Sequence, residues 1–350
     1  MSLKEKLFLI FQVGAVFIGT IVGAGLASGQ EITQFFTAYG YKSFLGIFIC
    51  FFIYIVMGSM IADISSKYKL SSYDGLIKLV SPGFLGSITN FLTTIFLISG
   101  AAIILAGSGS LIHQYFGVSK WFGIIIMCLA SLIILFRDTK GLIEINSFIV
   151  PSLIIVIITI FILYLNFYKD INVPQLRTIP FYKSNWLFSA LIYGGFNILC
   201  CSGVIAPLSN EIKSKKVLIC GICLGALGLT ILSLIINLLL ILNVPYIFKY
   251  EIPLLYIANR FGNAIQMLLL SIIWLEMFST EVSNVYSVGK NLEEAFNISY
   301  KLVILLIMLI AIPISQIGFV NLISVLYPAF ALVGFIFIIQ CLFFYFFKKI

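Results

Sequence analysis

The sequence has very little charge. Charged residues make up only 10% of its 350 residues, and it contains a single histidine. A soluble domain carries about 25% charged residues. Hydrophobic residues reach 61%, and the mean hydropathy is +1.16. So few polar groups cannot cover a water-exposed surface. A soluble enzyme, a nucleic-acid-binding protein and a disordered protein are therefore excluded.

Several catalytic motifs are also missing. The sequence has no G-x-x-x-x-G-K-[ST], no H-E-x-x-H and no G-x-S-x-G, and its one histidine, His113, lies near the end of an apolar segment. These absences argue against nucleotide hydrolysis, zinc-dependent proteolysis and serine hydrolase chemistry. We therefore expect a protein that is not an enzyme and that needs no organic cofactor. The seven cysteines fall inside apolar segments, so no disulfide framework is expected.

Long apolar runs dominate what is present. A membrane span needs about 20 predominantly apolar residues. The sequence predicts an all-α, polytopic membrane protein with about ten such spans, the first of them too long for one straight helix. Their approximate limits are 6–38, 43–66, 87–112, 120–136, 142–167, 186–210, 216–243, 263–289, 300–315 and 317–347.

The positive charges predict how the chain lies in the lipid bilayer. With the N-terminus inside, loops on that side hold about two-thirds of the 21 Lys and Arg residues. Cytoplasmic loops carry such an excess. We therefore expect a multi-pass protein of the cell membrane with both termini cytoplasmic. The sequence does not indicate an oligomeric state or a nucleic-acid partner.

A polar linker divides the chain near its middle. The segment 168–185 contains Pro174 and Pro180 and is expected to be an external loop within one transmembrane domain. Five spans precede it in residues 1–167, and five follow in residues 186–350. An odd number of spans per half turns the second half upside down relative to the first, which predicts an inverted repeat. Such repeats serve alternating access in transporters.

Two glycine clusters occupy matching places in the two halves. The first runs from Gly19 to Gly29, and the second is the run Tyr193-Gly194-Gly195-Phe196-Asn197. Glycine is unfavourable inside a helix, and interrupted spans at corresponding positions point to a transporter binding site. The pattern predicts that spans one and six are discontinuous. Close packing of two helices is the alternative explanation.

The run from Gly19 to Glu31 resembles the first helix of the YkvI family of bacterial membrane proteins. That family is similar to the amino acid–polyamine–organocation superfamily, which has the LeuT fold, and the step Gly23-Ala24-Gly25 resembles the Gly-x-Gly of the superfamily's unwound first helix. The resemblance implies a LeuT-like arrangement of five plus five spans. It also implies a sodium site formed by the Gly19 and Val22 carbonyls with the Ser279 and Thr280 hydroxyls.

A substrate site is expected near the bilayer midplane, among the first, third, sixth and eighth spans. Free backbone N–H groups at the break of the first span would suit a carboxylate. Phe196 and Asn197 would cover an apolar side chain and supply a polar contact. The predicted substrate-binding residues are Gly23, Ala24, Gly25, Ala27, Ser28, Gly194, Gly195, Phe196 and Asn197.

Three acidic residues fall well inside predicted spans, away from the span ends, where ionisable groups are costly and indicate function. Glu276 begins a polar stripe that continues through Ser279, Thr280, Ser283 and Ser287, at a spacing that keeps one helical face. Glu276 could strengthen a sodium site or carry a proton. Glu281 lies off the stripe as a possible structural partner for another helix. Glu31 is a candidate gate or amine-binding group. All three are candidates for ion coupling or gating.

These features together predict a secondary active transporter for a small organic solute. An amino acid or related zwitterion is the expected solute, and sodium or a proton the coupling ion. The alternative is a sensor or receptor on the same fold that binds a ligand without transporting it, as germination proteins of this superfamily are thought to do.

Overall fold

The computed structural model describes residues 3–70, 73–136, 142–167, 180–212 and 214–347, without the side chains of 142–148, 207, 210–211, 287, 290–291 and 294–296. The described residues form fourteen α-helices joined by turns and short 3₁₀ segments. The helices are α1 Leu3–Ile21, α2 Ala24–Ser28, α3 Gln30–Phe35, α4 Lys42–Tyr68, α5 Tyr73–Val80, α6 Phe84–Phe116, α7 Lys120–Leu135, α8 Leu142–Phe167, α9 Trp186–Glu211, α10 Lys215–Ile241, α11 Pro253–Ala258, α12 Asn263–Phe296, α13 Tyr300–Ser315 and α14 Phe319–Phe347.

Seven helices in the described part are long and apolar enough to cross a membrane. They are α4, α6, α8, α9, α10, α12 and α14. Two shorter apolar helices, α7 and α13, coincide with the fourth and ninth predicted spans. The predicted limits of the long spans fall within a few residues of the helix ends, except that α12 continues seven residues beyond the predicted 289. The all-α fold is confirmed, and the number of spans stays a prediction.

The first span is broken, as the glycine cluster predicts. Helix α1 ends at Ile21, and α2 begins at Ala24 after Val22 and Gly23. A second interruption follows at Gly29, whose φ of 83° lies in the left-handed region that glycine adopts without strain. The chain then continues as α3. Two short helices therefore replace the second half of what would otherwise be one long span.

The expected break in the sixth span is wrong. Helix α9 continues through Gly194, Gly195, Phe196 and Asn197 without interruption. Its glycines serve close packing: a Cβ at Gly195 would lie 2.9 Å from the backbone nitrogen of Phe335 in α14, and one at Gly334 would overlap the Gly195 carbonyl. A small-residue contact of this kind brings two backbones together.

Helices from the two predicted halves pack directly against each other. Helix α9 packs on α4 and α14, α1 packs on α10, and α12 packs on α6. A buried amide links α10 to the start of α4. Asn237 of α10 accepts a hydrogen bond from the Thr37 hydroxyl at 2.9 Å and donates one to the Ser43 hydroxyl at 2.7 Å. The inverted two-fold relation between the halves is not established by these contacts. Residues 168–179 of the expected linker lie outside the described part.

Candidate functional site

A cavity of about 230 Å³ lies inside the helix bundle. Its walls come from α1, α2, α6, α9 and α12, with single residues from α3, α5 and α14. Pockets for drug-sized ligands enclose roughly 300–1,000 Å³, so this volume suits a smaller solute. The cavity lies among the four spans from which the sequence predicts a binding site, and solute binding there stays a prediction.

The break between α1 and α2 opens into this cavity. The Val22 N–H donates to the Ile18 carbonyl at 2.8 Å, but the Gly23 N–H turns back to the Ile21 carbonyl at 3.0 Å. The regular backbone bonds resume when the Ala27 N–H donates to the Gly23 carbonyl. Among the described backbone bonds, the Gly19 carbonyl therefore lacks its usual helical partner. Free backbone groups at such depth are tolerated only where they are buried in protein or line a wet cavity.

Hydroxyl groups of α12 face this break. Gly19, Gly23, Ser279 and Thr280 all line the cavity. A Cβ on Gly23 would lie 3.6 Å from the Thr280 methyl carbon and 3.9 Å from its hydroxyl. The structure thus brings together three of the four residues implied in a sodium site. The fourth, Val22, is fully buried beside them without lining the cavity.

Glu276 and Glu281 are fully buried on α12, outside the cavity lining. Neither carboxylate has a hydrogen-bond partner among the residues that the structure describes. Glu276 lies one helical turn before Thr280, whose hydroxyl donates to the Glu276 carbonyl at 2.9 Å. Glu281 lies near Cys128 of α7, so it faces a different helix. Burial of a carboxylate without partners is costly.

Glu31 closes one end of the cavity. Its side chain lines the cavity and is only 2% exposed, and its Oε2 accepts a 2.8 Å hydrogen bond from the Tyr193 hydroxyl. The Tyr327 side chain lies beside this carboxylate as well. Rings of Phe35 and Phe36 pack on Tyr193, with centroids 5.1 and 5.0 Å from it. A buried aromatic layer therefore covers the carboxylate on its far side.

Phe196 and Asn197 line the cavity from α9. The Phe196 ring packs between Phe96 and Tyr327, at centroid distances of 5.1 and 4.7 Å. The Asn197 amide donates to the Tyr54 hydroxyl at 2.9 Å, which holds its orientation. Both residues thus face the cavity although α9 has no break there.

Most of the other predicted substrate-binding residues do not line the cavity. Ala24 lines the cavity, whereas Gly25, Ala27 and Ser28 are buried behind it. The Ser28 hydroxyl donates to the Gly25 carbonyl at 3.0 Å, so it belongs to the local turn. Gly194 and Gly195 face Ile53 and α14 instead of the cavity, because they serve helix packing.

Sequence reasoning missed several cavity residues. Tyr327, Phe96, Cys200 and Asn284 are among the lining residues, and Tyr193 donates to Glu31 from outside the lining. Tyr193 is the first residue of the second glycine cluster, which is a usable signal. Tyr327 has none, since nothing in its neighbourhood separates it from the other 16 tyrosines.

The whole helix arrangement matches solved structures of the LeuT fold. Mhp1 in an inward-facing conformation aligns with a TM-score of 0.73 at 13% identity, over 97% of this chain and 77% of that chain. MhsT in complex with L-phenylalanine aligns with a TM-score of 0.69 at 15% identity, over 96% and 88%. A Na⁺-coupled sialic acid symporter in an outward-open state aligns with a TM-score of 0.68 at 15% identity, over 93% and 75%. These likenesses establish a LeuT-fold membrane protein.

A relative in sequence defines the family more narrowly. The membrane protein YkvI of Bacillus subtilis (strain 168) is 32% identical over 327 residues, which cover 93% of each chain. The chain therefore belongs to the family of YkvI. No family model matches it.

Proposed function

We propose that this protein is a secondary active transporter, not an enzyme, and that it moves a small organic solute by alternating access. One observation carries the proposal: the broken backbone between α1 and α2 opens into a cavity of the helix bundle opposite Ser279 and Thr280. Interrupted helices at a cavity inside the bundle provide backbone groups for a solute and an ion. The LeuT-fold neighbours support it, since one is a Na⁺-coupled symporter.

The architecture proposed with this function has ten spans in an inverted five-plus-five repeat, as in the amino acid–polyamine–organocation superfamily. Residues 1–167 and 186–350 form the two repeats, and both termini lie on the cytoplasmic side of the cell membrane. The agreement of helix limits with predicted spans supports the count. The distribution of Lys and Arg among the loops supports the orientation.

The proposed solute is an amino acid or a related zwitterion. A cavity of about 230 Å³ has room for a molecule of that size. Phe96, Phe196 and Tyr327 offer an apolar wall for a side chain. The neighbour MhsT was solved with L-phenylalanine, which supports the same class.

The proposed coupling ion is sodium, bound where the α1–α2 break meets Ser279 and Thr280. Carbonyl and hydroxyl oxygens suit hard cations, and the Glu276 carboxylate lies one turn away without a partner in the described part of the chain. Proton transfer at Glu276 is the alternative mode of coupling. A proton on Glu276 would be fully buried, whereas sodium beside Thr280 would lie at the cavity wall.

Cys200 provides a direct test of alternating access, since it lines the cavity. The other six cysteines would be replaced by serine, and the protein reconstituted in sealed vesicles. A membrane-impermeant thiol reagent, applied from one side, should label Cys200 at a rate that changes when common L-amino acids and sodium are added together. Cys128, which lies outside the cavity lining, serves as the matched single-cysteine control. A Cys200 labelling rate that no added solute or ion changes would overturn the proposal.

A further inference from the structure

The Glu31 carboxylate occupies the space in which a solute carboxylate is expected to bind. Gly25 has no side chain, and a Cβ built there would overlap the Glu31 carboxyl oxygen. The Glu31 side chain therefore folds back over the first turn of α2. Gly25 and Ala27 do not line the cavity. The Glu31 side chain thus presents a carboxyl group to the cavity, where a bound cation would favour its charged form.

No cationic side chain faces the Glu31 carboxyl group from the described cavity wall. Among the described residues that line the cavity, none is Lys, Arg or His. The ion pairs that the structure describes join Lys78 to Asp74, Lys120 to Glu251 and Lys215 to Asp63, all away from the cavity lining. Tyr193 supplies one neutral donor to Glu31. A buried carboxylate that faces a cavity is best compensated by a cation inside that cavity.

An organic cation fits these surroundings better than a metal ion. Hard cations take about six or more oxygen ligands, whereas the described neighbours of the Glu31 carboxylate include the phenol side chains of Tyr193 and Tyr327. The oxygen-rich position lies elsewhere, at Ser279 and Thr280. Aromatic faces attract ammonium groups, and the tilted rings of Phe196 and Tyr327 lie in the same wall with their centroids 4.7 Å apart.

We propose that Glu31 binds the positively charged amino group of the solute, so that recognition requires an amine and does not require a carboxylate. This inference rests on the proposed function, because it identifies the chemical class that the same cavity accepts. It predicts a ranking in which amines and amino acids bind, while acids of the same carbon skeleton do not. A solute carboxylate, where one is present, would lie away from Glu31.

Two matched sets of ligands test the ranking on the unmodified protein. One set is 2-phenylethylamine, L-phenylalanine and 3-phenylpropionate, and the other is 3-methylbutylamine, L-leucine and 4-methylpentanoate. Ligand binding raises apparent stability by mass action. The shift of the melting temperature in detergent, at a fixed sodium concentration, therefore measures the binding of each ligand. The amine and the amino acid of at least one set should stabilise the protein, and the acid should not. Equal stabilisation by the acid would overturn the inference.

Substitution then locates the selectivity. Glu31→Gln keeps the shape and the contact with Tyr193 but removes the charge, and we expect it to weaken amine binding at least tenfold. Glu251→Gln removes a carboxylate outside the cavity and should leave the ranking unchanged. An unchanged amine preference in a folded Glu31→Gln protein would contradict the assignment. Tyr193→Phe, which removes one donor to Glu31, should alter the amine-to-acid ratio and not merely the melting temperature.

Uptake into proteoliposomes separates failure of this inference from failure of the proposed function. Binding of amines that depends on Glu31, without uptake, would support the inference and contradict transport. Uptake of a solute that lacks an amino group, unaffected by Glu31→Gln, would support transport and overturn the inference.

Discussion

Loss of the Thr280 hydroxyl should weaken sodium binding. Thr280→Val preserves the shape of the side chain but removes an oxygen that faces the α1–α2 break and donates to the Glu276 carbonyl. A hydrogen bond to a charged group contributes about 1.5–3 kcal/mol. If a sodium–oxygen contact is of comparable strength, its loss lowers affinity roughly tenfold to a hundredfold.

Thermal unfolding in sodium chloride, against choline chloride at equal ionic strength, measures this effect. Sodium at ten times its dissociation constant should stabilise the unmodified protein by about 1.4 kcal/mol, since the gain is RT ln(1 + [L]/Kd). At the same sodium concentration, Thr280→Val should lose most of that gain. Substrate affinity should rise with sodium, and sodium affinity should rise equally with substrate, because linkage is reciprocal.

Thr230→Val is the matched control. Thr230 lies on α10, is 5% exposed, and its hydroxyl donates to the Ala226 carbonyl at 2.7 Å in the same local pattern. Sodium should stabilise the Thr230→Val variant as much as it stabilises the unmodified protein. Equal sodium responses in Thr280→Val, Thr230→Val and the unmodified protein would refute the assignment of sodium to this position.

Glu276→Gln separates sodium coupling from proton coupling. If Glu276 carries the proton, the glutamine variant mimics its protonated form, so it should bind solute but fail to accumulate it in a pH gradient, with sodium irrelevant. If sodium binds beside Thr280, the sodium dependence should weaken in both variants. If both residues are only structural, both substitutions should lower stability and leave every ion dependence unchanged.

Three further substitutions test the packing around the cavity. Gly334→Ala should lower the free energy of unfolding by about 1–3 kcal/mol, measured by denaturation in detergent, because its Cβ would overlap the Gly195 carbonyl; an unchanged stability would contradict that contact. Gly25→Ala should weaken binding of a cationic ligand without unfolding the protein, because it displaces the Glu31 carboxylate; normal affinity in a binding titration would contradict this. Asn237→Leu should lower the free energy of unfolding by about 1–3 kcal/mol, because the Ser43 hydroxyl loses the Asn237 donor and the Thr37 hydroxyl loses one of its two acceptors; an unchanged stability in the same assay would contradict this.

The fold could be predicted largely from the sequence, because membrane spans obey simple constraints. A span must be long and apolar, and its backbone must satisfy its own hydrogen bonds. These rules place α8 and α13 at their observed limits. The break after Ile21 was also predictable, since several glycines crowd one short run between Gly19 and Gly29.

Predictions from the sequence failed where the effect of a residue depends on a partner that is distant in the sequence. The glycines of α9 look like those of the first span, yet Gly195 packs against Gly334, which lies 139 positions later in the sequence. Composition cannot distinguish a helix break from a close helix contact. Gly25 is a second example, because the Glu31 side chain lies against it and Gly25 does not line the cavity. The aromatic layer around Glu31 likewise joins residues from α3, α9 and α14.

Uptake of a labelled solute into proteoliposomes tests the central claim most directly. The ligand that most stabilises the purified protein would be used, with a sodium gradient, a pH gradient or neither imposed across the membrane. Coupled transport predicts accumulation above the external concentration under one gradient, and its collapse when an ionophore dissipates that gradient. A ligand that stabilises the protein but never accumulates under either gradient would contradict secondary active transport and favour a receptor on the same fold.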